Sequence, residues 1–270
     1  MEIPLFPLHT VLAPGIALPL HVFEERYRLL VRHCLDTSVP FGVVLIREGS
    51  EVLPRDGGEQ ELAIAGVGTL AEIREANLLA DGRWDLLVVG AGRFAVREVR
   101  TEERPYLVAD VVPIDDDPGD TAAAEALVRR VTGRFIQYLR LLQPRDGEAA
   151  EPIDVQVEVD VEVDEEPEDA EATTTAEDGE ADDAREPAPV RGPEALAEAL
   201  HIPDDPSTLS FLLTGIVQVE LDRKQALLEA TTAEERLRDL DELLDRELLL
   251  LTLRLAPFTP DRSLATLRAN

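Results

Sequence analysis

Cysteine and lysine are each present once in this chain of 270 residues, as Cys34 and Lys224. A single cysteine excludes an internal disulfide and fits a reducing compartment. The single lysine lies in the leucine-rich stretch Arg223-Lys-Gln-Ala-Leu-Leu228, and no G-x-x-x-x-G-K-[ST] occurs anywhere, which excludes a P-loop. Apolar runs stop well short of the ~18 residues that a membrane span requires. The N-terminus shows no basic segment followed by an apolar one, so no signal peptide is read there. A cytoplasmic protein with no membrane partner is the expectation. His9, His21, His33 and His201 stand singly, without metal-ligand spacing, and no Asp-x-Asp-x-Asp-Gly loop could cage calcium; no cofactor is expected. Basic residues number 26 against 56 acidic ones, for a formal net charge of −30. Such a surface repels phosphate backbones, so no nucleic acid is expected as a partner.

The apolar content, 44%, is that of a globular protein. The first residues read Glu2-Ile-Pro-Leu-Phe-Pro-Leu8, and further prolines follow at Pro14 and Pro19. Each proline lacks an N–H and disfavours the α region in the residue before it, so this is extended chain with apolar side chains to bury. Pro14-Gly15 reads as a turn between two short strands. From Phe23 the period becomes helical, with Phe23, Tyr27, Leu30, Val31 and Cys34 on one face. His33 and Cys34 are neighbours on that helix and point about 100° apart, which suits a core cysteine and a rim histidine rather than a thiolate–imidazole pair.

A run of short strands is read next: one through Val43-Val-Leu-Ile46, one from Leu62 to Arg74, then Asp85–Val89 and Arg93–Val99 joined by a bulge or bend at Gly90-Ala-Gly92, and one from Tyr106 to Ile114. Asp81-Gly82 is a hairpin turn. Ala65-Gly-Val-Gly-Thr-Leu-Ala71 matches the dinucleotide pattern G-x-G-x-x-A, but a nucleotide site needs a helix starting at the motif, and these residues alternate as a strand. Short strands at this spacing close into a small barrel. Beyond Asp120 the pattern is helical. Leu127, Val131, Phe135, Tyr138, Leu139 and Leu142 share a face, and Pro144 ends the run. Pro193–Leu200 reads as a short helix. Asp205-Pro206 is an N-cap with proline at the first helical position, and Thr232-Ala-Glu-Glu235 is a capping-box signature ahead of Leu237, Leu240, Leu244, Leu248 and Leu251. Between Glu148 and Pro187, eighteen acidic residues face one basic residue, Arg185. That stretch reads as a disordered acidic insert holding a transient β segment at Ile153–Asp164.

Several prolines, aromatics and charges coincide in Pro4-Leu-Phe-Pro-Leu8, Val11-Leu12, Pro14-Gly15, Leu18-Pro-Leu-His-Val-Phe-Glu24 and Arg26-Tyr27. The chain here resembles the Lon substrate-binding domain, the N-terminal domain of the ATP-dependent protease Lon. Phe41-Gly-Val43, Gly68-Thr-Leu-Ala-Glu-Ile73, Leu86-Leu-Val-Val-Gly90, Arg93-Phe94 and Pro105-Tyr106 continue it in order, as do Pro203-Asp-Asp-Pro206 and Lys224-Gln-Ala-Leu-Leu-Glu229. The acidic insert has no counterpart in the family pattern. The resemblance implies an α+β fold: a PUA-like β pseudo-barrel over residues 1–118 with one early helix, a helix at 119–144 linking the halves, the insert at 145–192, and a C-terminal helical bundle at 193–258.

It also implies a polypeptide-binding module without the ATPase and without the Ser–Lys dyad of the protease. Ser207 and Ser210 read as first-turn helix residues, not as partners of Lys224. The implied partners are unfolded or apolar polypeptide segments, and a protease that the module serves as adaptor or regulator. Phe23, Tyr27, Trp84 and Phe94 are the candidate contact residues for a groove between barrel and bundle, although Phe23, Tyr27 and Phe94 are of types more often found in a core than at a contact. Two other functions stay open on the sequence: a small-ligand binder or enzyme built on the same barrel, and a structural interaction protein.

Overall fold

The computed structural model describes residues 1–48, 63–100, 104–142 and 202–253. The expected helix at 193–200, the acidic insert and its β segment lie outside the described residues. Among the described residues there are seven strands and five helices: β1 (Glu2–Leu8), β2 (Ala17–Val22), α1 (Glu25–Thr37), β3 (Phe41–Glu48), β4 (Ala63–Ile64), β5 (Val67–Leu78), β6 (Trp84–Arg100), β7 (Val108–Ile114), α2 (Thr121–Leu142), α3 (Pro206–Ile216), α4 (Leu221–Glu229) and α5 (Ala233–Thr252). The fold is α+β, as expected.

The sheet runs β1-β7-β6-β5-β3, and β1 then pairs in parallel with β3, from Leu5↔Gly42 to Leu8↔Leu45, which brings the sheet back on itself as a pseudo-barrel. The proline-rich start makes this possible. Every residue from Ile3 to Leu8 is buried: Ile3 and Leu5 point into one apolar cluster with Val44, Phe94 and Val111, while Phe6 and Leu8 point into a second with α1. β2 pairs only with β6 and carries Pro19 within it, an edge position where a missing N–H costs no ladder bond. α1 lays Tyr27, Leu30, Val31 and Cys34 on the sheet, four of the five positions read from the period; Phe23 precedes the helix and is half-buried.

The residues read as two strands at 85–89 and 93–99 form one, β6, of 17 residues. Its first part pairs with β2 and its second part with β7, while β5 runs along it from Trp84 to Ala95. The bulge expected at Gly90–Gly92 is present as an extra β6 residue between the pairs Ala71↔Gly90 and Thr69↔Arg93. It lets a single strand serve two neighbours without ending. The stretch read as one strand from Leu62 is instead divided into β4 and β5 at Ala65-Gly66.

α2 does more than link the halves. Ala124, Leu127, Val131, Phe135, Tyr138 and Leu139 join Leu209, Leu213, Leu237, Leu240 and Leu244 in the core of the bundle. Both capping signals are realised. Asp205 accepts from the Thr208 N–H at 2.7 Å and Thr232 from the Glu235 N–H at 3.1 Å. The Glu235 carboxylate returns to the N–H of Thr231, at 2.9 Å, one residue earlier than a standard capping box would have it.

Barrel and bundle are held together by buried polar contacts. Arg93, on β6, donates to the carbonyls of Leu228 and Ala230 at 2.8 and 2.7 Å, and to Asp116 at 3.0 Å. Arg236, on α5, donates to the Leu227 carbonyl, the Ser210 hydroxyl and the Ala230 carbonyl. The Phe211 ring stacks under the Arg236 guanidinium at 3.8 Å and lies 5.3 Å from that of Arg93. The two arginines thus satisfy the last carbonyls of α4, where no glycine closes the helix and the helix dipole favours positive charge.

Candidate polypeptide-binding cleft

The seam between barrel and bundle leaves a cleft of about 310 Å³. Its position follows from local sequence. The Pro14-Gly15 turn is tied to the β6 bulge: Gly15 N–H donates to the Gly90 carbonyl at 2.7 Å, and Gly90 N–H to the Ile16 carbonyl at 3.0 Å. Gly15 has φ +76, which its lack of a Cβ allows. Gly90 admits the close approach of the turn, since a Cβ there would collide with the Ala13 carbonyl. Thr69 fixes the same turn from β5 by donating to the Leu12 carbonyl at 2.7 Å inside the protein. Ile16 then packs against Gly215 of α3, where an added Cβ would lie 2.5 Å from the Ile16 side chain. The turn forms one wall of the cleft, Thr208 and Leu212 of α3 the other, and Val89, Gly90 and Ala91 the floor, with Pro203 at one end. The charged groups of the lining are Glu72 and Arg74, 3.9 Å apart and both about half-exposed.

A second cavity, about 300 Å³, lies between the end of α1 and β5 and is lined by Cys34, Leu35, Ser38, Val39, Pro40, Ile73 and, again, Glu72. Ser38 adopts φ 53 there as the left-handed cap of α1. Leu35 and Val39 are exposed at 39% and 37%, which leaves apolar surface at this mouth uncovered. Cys34 is 2% exposed, and burial pushes its thiol up to about 12. Near pH 8 only about one thiol in ten thousand is then ionised, so the expected outcome is negligible alkylation of native protein by iodoacetamide and complete alkylation after denaturation. Mass spectrometry reads this directly; rapid modification of the native chain would contradict the placement of Cys34. His33 turns away from the thiol and stacks near Tyr106, 6.4 Å between ring centres.

The four aromatic candidates do not line the cleft. Phe94 is fully buried in the barrel, and Tyr27 is 4% exposed, stacked on Phe6 at 4.1 Å with the Arg26 guanidinium 4.4 Å above its ring. Phe23 and Trp84 are half-buried at the far end of β2 and β6, where Val22 pairs with Trp84 and the Phe23 ring lies 6.5 Å from that of His21. The Trp84 indole N–H is buried there and finds no acceptor among the described residues. Around these rings the surface is polar: His21 contacts Asp85 at 2.6 Å and Arg83 at 3.1 Å, and Asp81 holds Arg83 at 2.6 Å. The cleft residues Pro14, Val89, Ala91 and Leu212 were not among the contact residues expected from the sequence. The turn and the bulge that make the cleft were both readable; that they meet was not.

Ala65–Ala71 does not have the strand-to-helix setting of a dinucleotide site. β5 starts at Val67 and continues as strand to Leu78, with no helix following the motif. Among the described residues, no group of three or more His, Cys, Asp or Glu side chains could hold a metal ion, and no helix is long and apolar enough to cross a membrane.

Comparison with known proteins agrees with this architecture. The family model described as the ATP-dependent protease La (LON) substrate-binding domain matches residues 2–246. "Lon protease 2" of Herpetosiphon aurantiacus is 25% identical over 249 residues, which is 92% of this chain and 24% of that protein. "Lon protease 2" of Myxococcus xanthus is 26% identical over 91% of this chain and 24% of its own length. The chain therefore spans about a quarter of these relatives. Among solved structures, the N-terminal domain of Mycobacterium avium complex Lon protease superposes with a TM-score of 0.57 at 14% identity, covering 91% of this chain and 98% of that one, a likeness of fold. With the match extending from β1 into α5, the chain belongs to the LON substrate-binding domain family.

Proposed function

We propose that the protein is a non-catalytic polypeptide-binding module that takes up exposed apolar segments of unfolded chains in the cleft at the barrel–bundle seam. The observation that carries this reading is the cleft itself: an apolar floor and two apolar walls, held open by the pinned Pro14-Gly15 turn, in a member of a substrate-binding family. Concave sites with an apolar lining and few polar groups suit such ligands, because burying an apolar side chain drives binding while the polar groups fix its orientation. The Arg93–Phe211–Arg236 contacts keep the walls at a fixed separation, which spares binding the cost of ordering them. The module serves in this reading as an adaptor or regulator of protein quality control in the cytoplasm, handing captured chains to a protease.

The test is binding of reduced, carboxymethylated α-lactalbumin, followed by fluorescence anisotropy. Ala91 is exposed on the cleft floor, so Ala91→Trp fills the cleft at little cost to the fold. The wild type is expected to bind, and Ala91→Trp to bind at least tenfold more weakly with its Tm unchanged. Absence of binding by the wild type, or equal binding by the variant, would remove the proposal.

A further inference from the structure

β5 outlasts its partner on one side. β6 pairs with it from Val67 to Leu78, but β3 pairs with it only from Thr69 to Ala71, the last pair being Phe41↔Ala71. The residue before Phe41 is Pro40, which has no N–H to give a ladder, and the chain ahead of it turns away through the left-handed Ser38. Glu72–Leu78 therefore has no partner strand on that side among the described residues, over about 20 Å of edge. We propose, resting on the polypeptide-binding reading above, that this edge takes an extended segment of the captured chain as an added strand, in line with β3.

Alternation fixes which backbone groups are free. Residues two apart in an antiparallel strand direct their N–H and C=O the same way. The Leu79 N–H donates to the Arg83 carbonyl at 2.8 Å across the hairpin, so Asn77 and Glu75, paired with Asp85 and Leu87, face β6. Ala76 and Leu78 then offer their N–H and C=O groups to the open side. Such groups bind an extended backbone whatever its side chains, which is the tolerance a receptor for unfolded chains needs. The second cavity lies where the β3 ladder stops, with Val39, Pro40, Glu72 and Ile73 in its lining and the exposed Leu35 beside them. It gives the end of an added strand a place for one apolar side chain. Across β6, the other edge strand, β2, carries Pro19, whereas the edge of β5 carries no proline. Glu72, Arg74 and Glu75 are exposed along it, and their charges keep a free edge soluble without filling it.

The probe is a fluorescein-labelled peptide, Ser-Thr-Val-Ser-Val-Thr-Leu-Ser, with two further forms N-methylated at alternate residues, one set complementary to the other. An added strand bonds β5 through every second residue, so in anisotropy titrations one methylated form is expected to bind at least tenfold more weakly and the other within twofold of the parent. Ala76→Pro is expected to weaken the parent peptide at least tenfold with its Tm little changed, since an edge position tolerates proline. Ala91→Trp, in the cleft, is expected to leave the peptide's affinity unchanged. Equal affinity of the two methylated forms for the wild type would overturn the added strand, whether or not Ala76→Pro folds. Undiminished binding by a folded Ala76→Pro variant would overturn it too. Self-association of the wild type that Ala76→Pro abolishes would give the edge to a second copy of the chain instead. Binding of unfolded α-lactalbumin without binding of the peptide would overturn the edge and leave the cleft reading standing; failure of both ligands to bind would remove both.

Discussion

Arg236→Ala is expected to cost about 3 kcal/mol or more of folding stability, because it takes a buried donor from neutral buried acceptors and a cation from an aromatic ring. Arg236 is 1% exposed, and its three hydrogen bonds reach the Leu227 carbonyl, the Ser210 hydroxyl and the Ala230 carbonyl at 3.0, 2.9 and 3.2 Å. Truncation leaves the first two acceptors buried without that donor, at roughly 1–3 kcal/mol each, and removes the cation stacked on Phe211. For a chain of this size 1 kcal/mol shifts Tm by about 2–4 °C, so a fall of roughly 10 °C or more is expected in thermal unfolding. Arg236→Lys is expected to recover little of it, because an ammonium cannot serve three acceptors in one plane while stacking on a ring. Burial, and secondarily the neighbouring Arg93, lowers the Arg236 guanidinium to about 10, which is still charged at neutral pH. Arg93 shares the Ala230 carbonyl and the Phe211 ring with it, so the double variant Arg93→Ala, Arg236→Ala is expected to lose less than the sum of the single losses. A Tm shift below about 3 °C for Arg236→Ala would show that α3, α4 and α5 are held to one another by their apolar contacts without help from this guanidinium.

The same residues mark where sequence reasoning reached its end. Elements announced by local pattern were legible: the extended start from its prolines, α1 from Tyr27, Leu30, Val31 and Cys34, and α3 and α5 from their caps at Asp205 and Thr232. Local pattern also located the bulge at Gly90, yet predicted a break in the strand. A bulge ends a strand only if no partner lies beyond it, and β7 supplies one. Nothing in the sequence marks Arg93 and Arg236 as buried, since arginine is rarely buried without partners. Their partners are backbone carbonyls of α4, which carry no sequence signature; for Arg93 they lie 135 and 137 residues away. The aromatic candidates lie away from the cleft for a related reason. Ring residues are recognisable as large and apolar, but which face of a strand looks inward depends on register, and register put Phe94 in the barrel and the cleft beside Val89 and Ala91.

Phe94 explains two glycines that the sequence left without a role, and these carry the second large expected effect. A Cβ at Gly68 would lie 2.5 Å from the Val43 carbonyl oxygen and 2.6 Å from the tip of the Phe94 ring. One at Gly42 would lie 2.6 Å from the same ring tip, 2.8 Å from Leu5 and 2.9 Å from Ile3, all ends of side chains. The difference lies in what can move. Backbone within a paired strand cannot yield without breaking ladder bonds, whereas a ring can be shortened. Gly68→Ala is therefore expected to destabilise by about 3 kcal/mol or more, and Gly42→Ala by about 1–3 kcal/mol, the usual range for overpacking. Adding Phe94→Leu removes the ring tip and should recover much of the loss in Gly42→Ala but little in Gly68→Ala, where the Val43 carbonyl remains. Gly66, the other glycine of the Ala65–Ala71 motif, has open space around its Cβ position, so Gly66→Ala is expected to be nearly silent. Urea unfolding of the singles and doubles measures these couplings. Equal rescue of Gly42→Ala and Gly68→Ala by Phe94→Leu would mean that the ring alone excludes a side chain at both sites. Equal losses in Gly66→Ala and Gly68→Ala would mean instead that the motif is selected as a unit, for something other than the packing of Phe94.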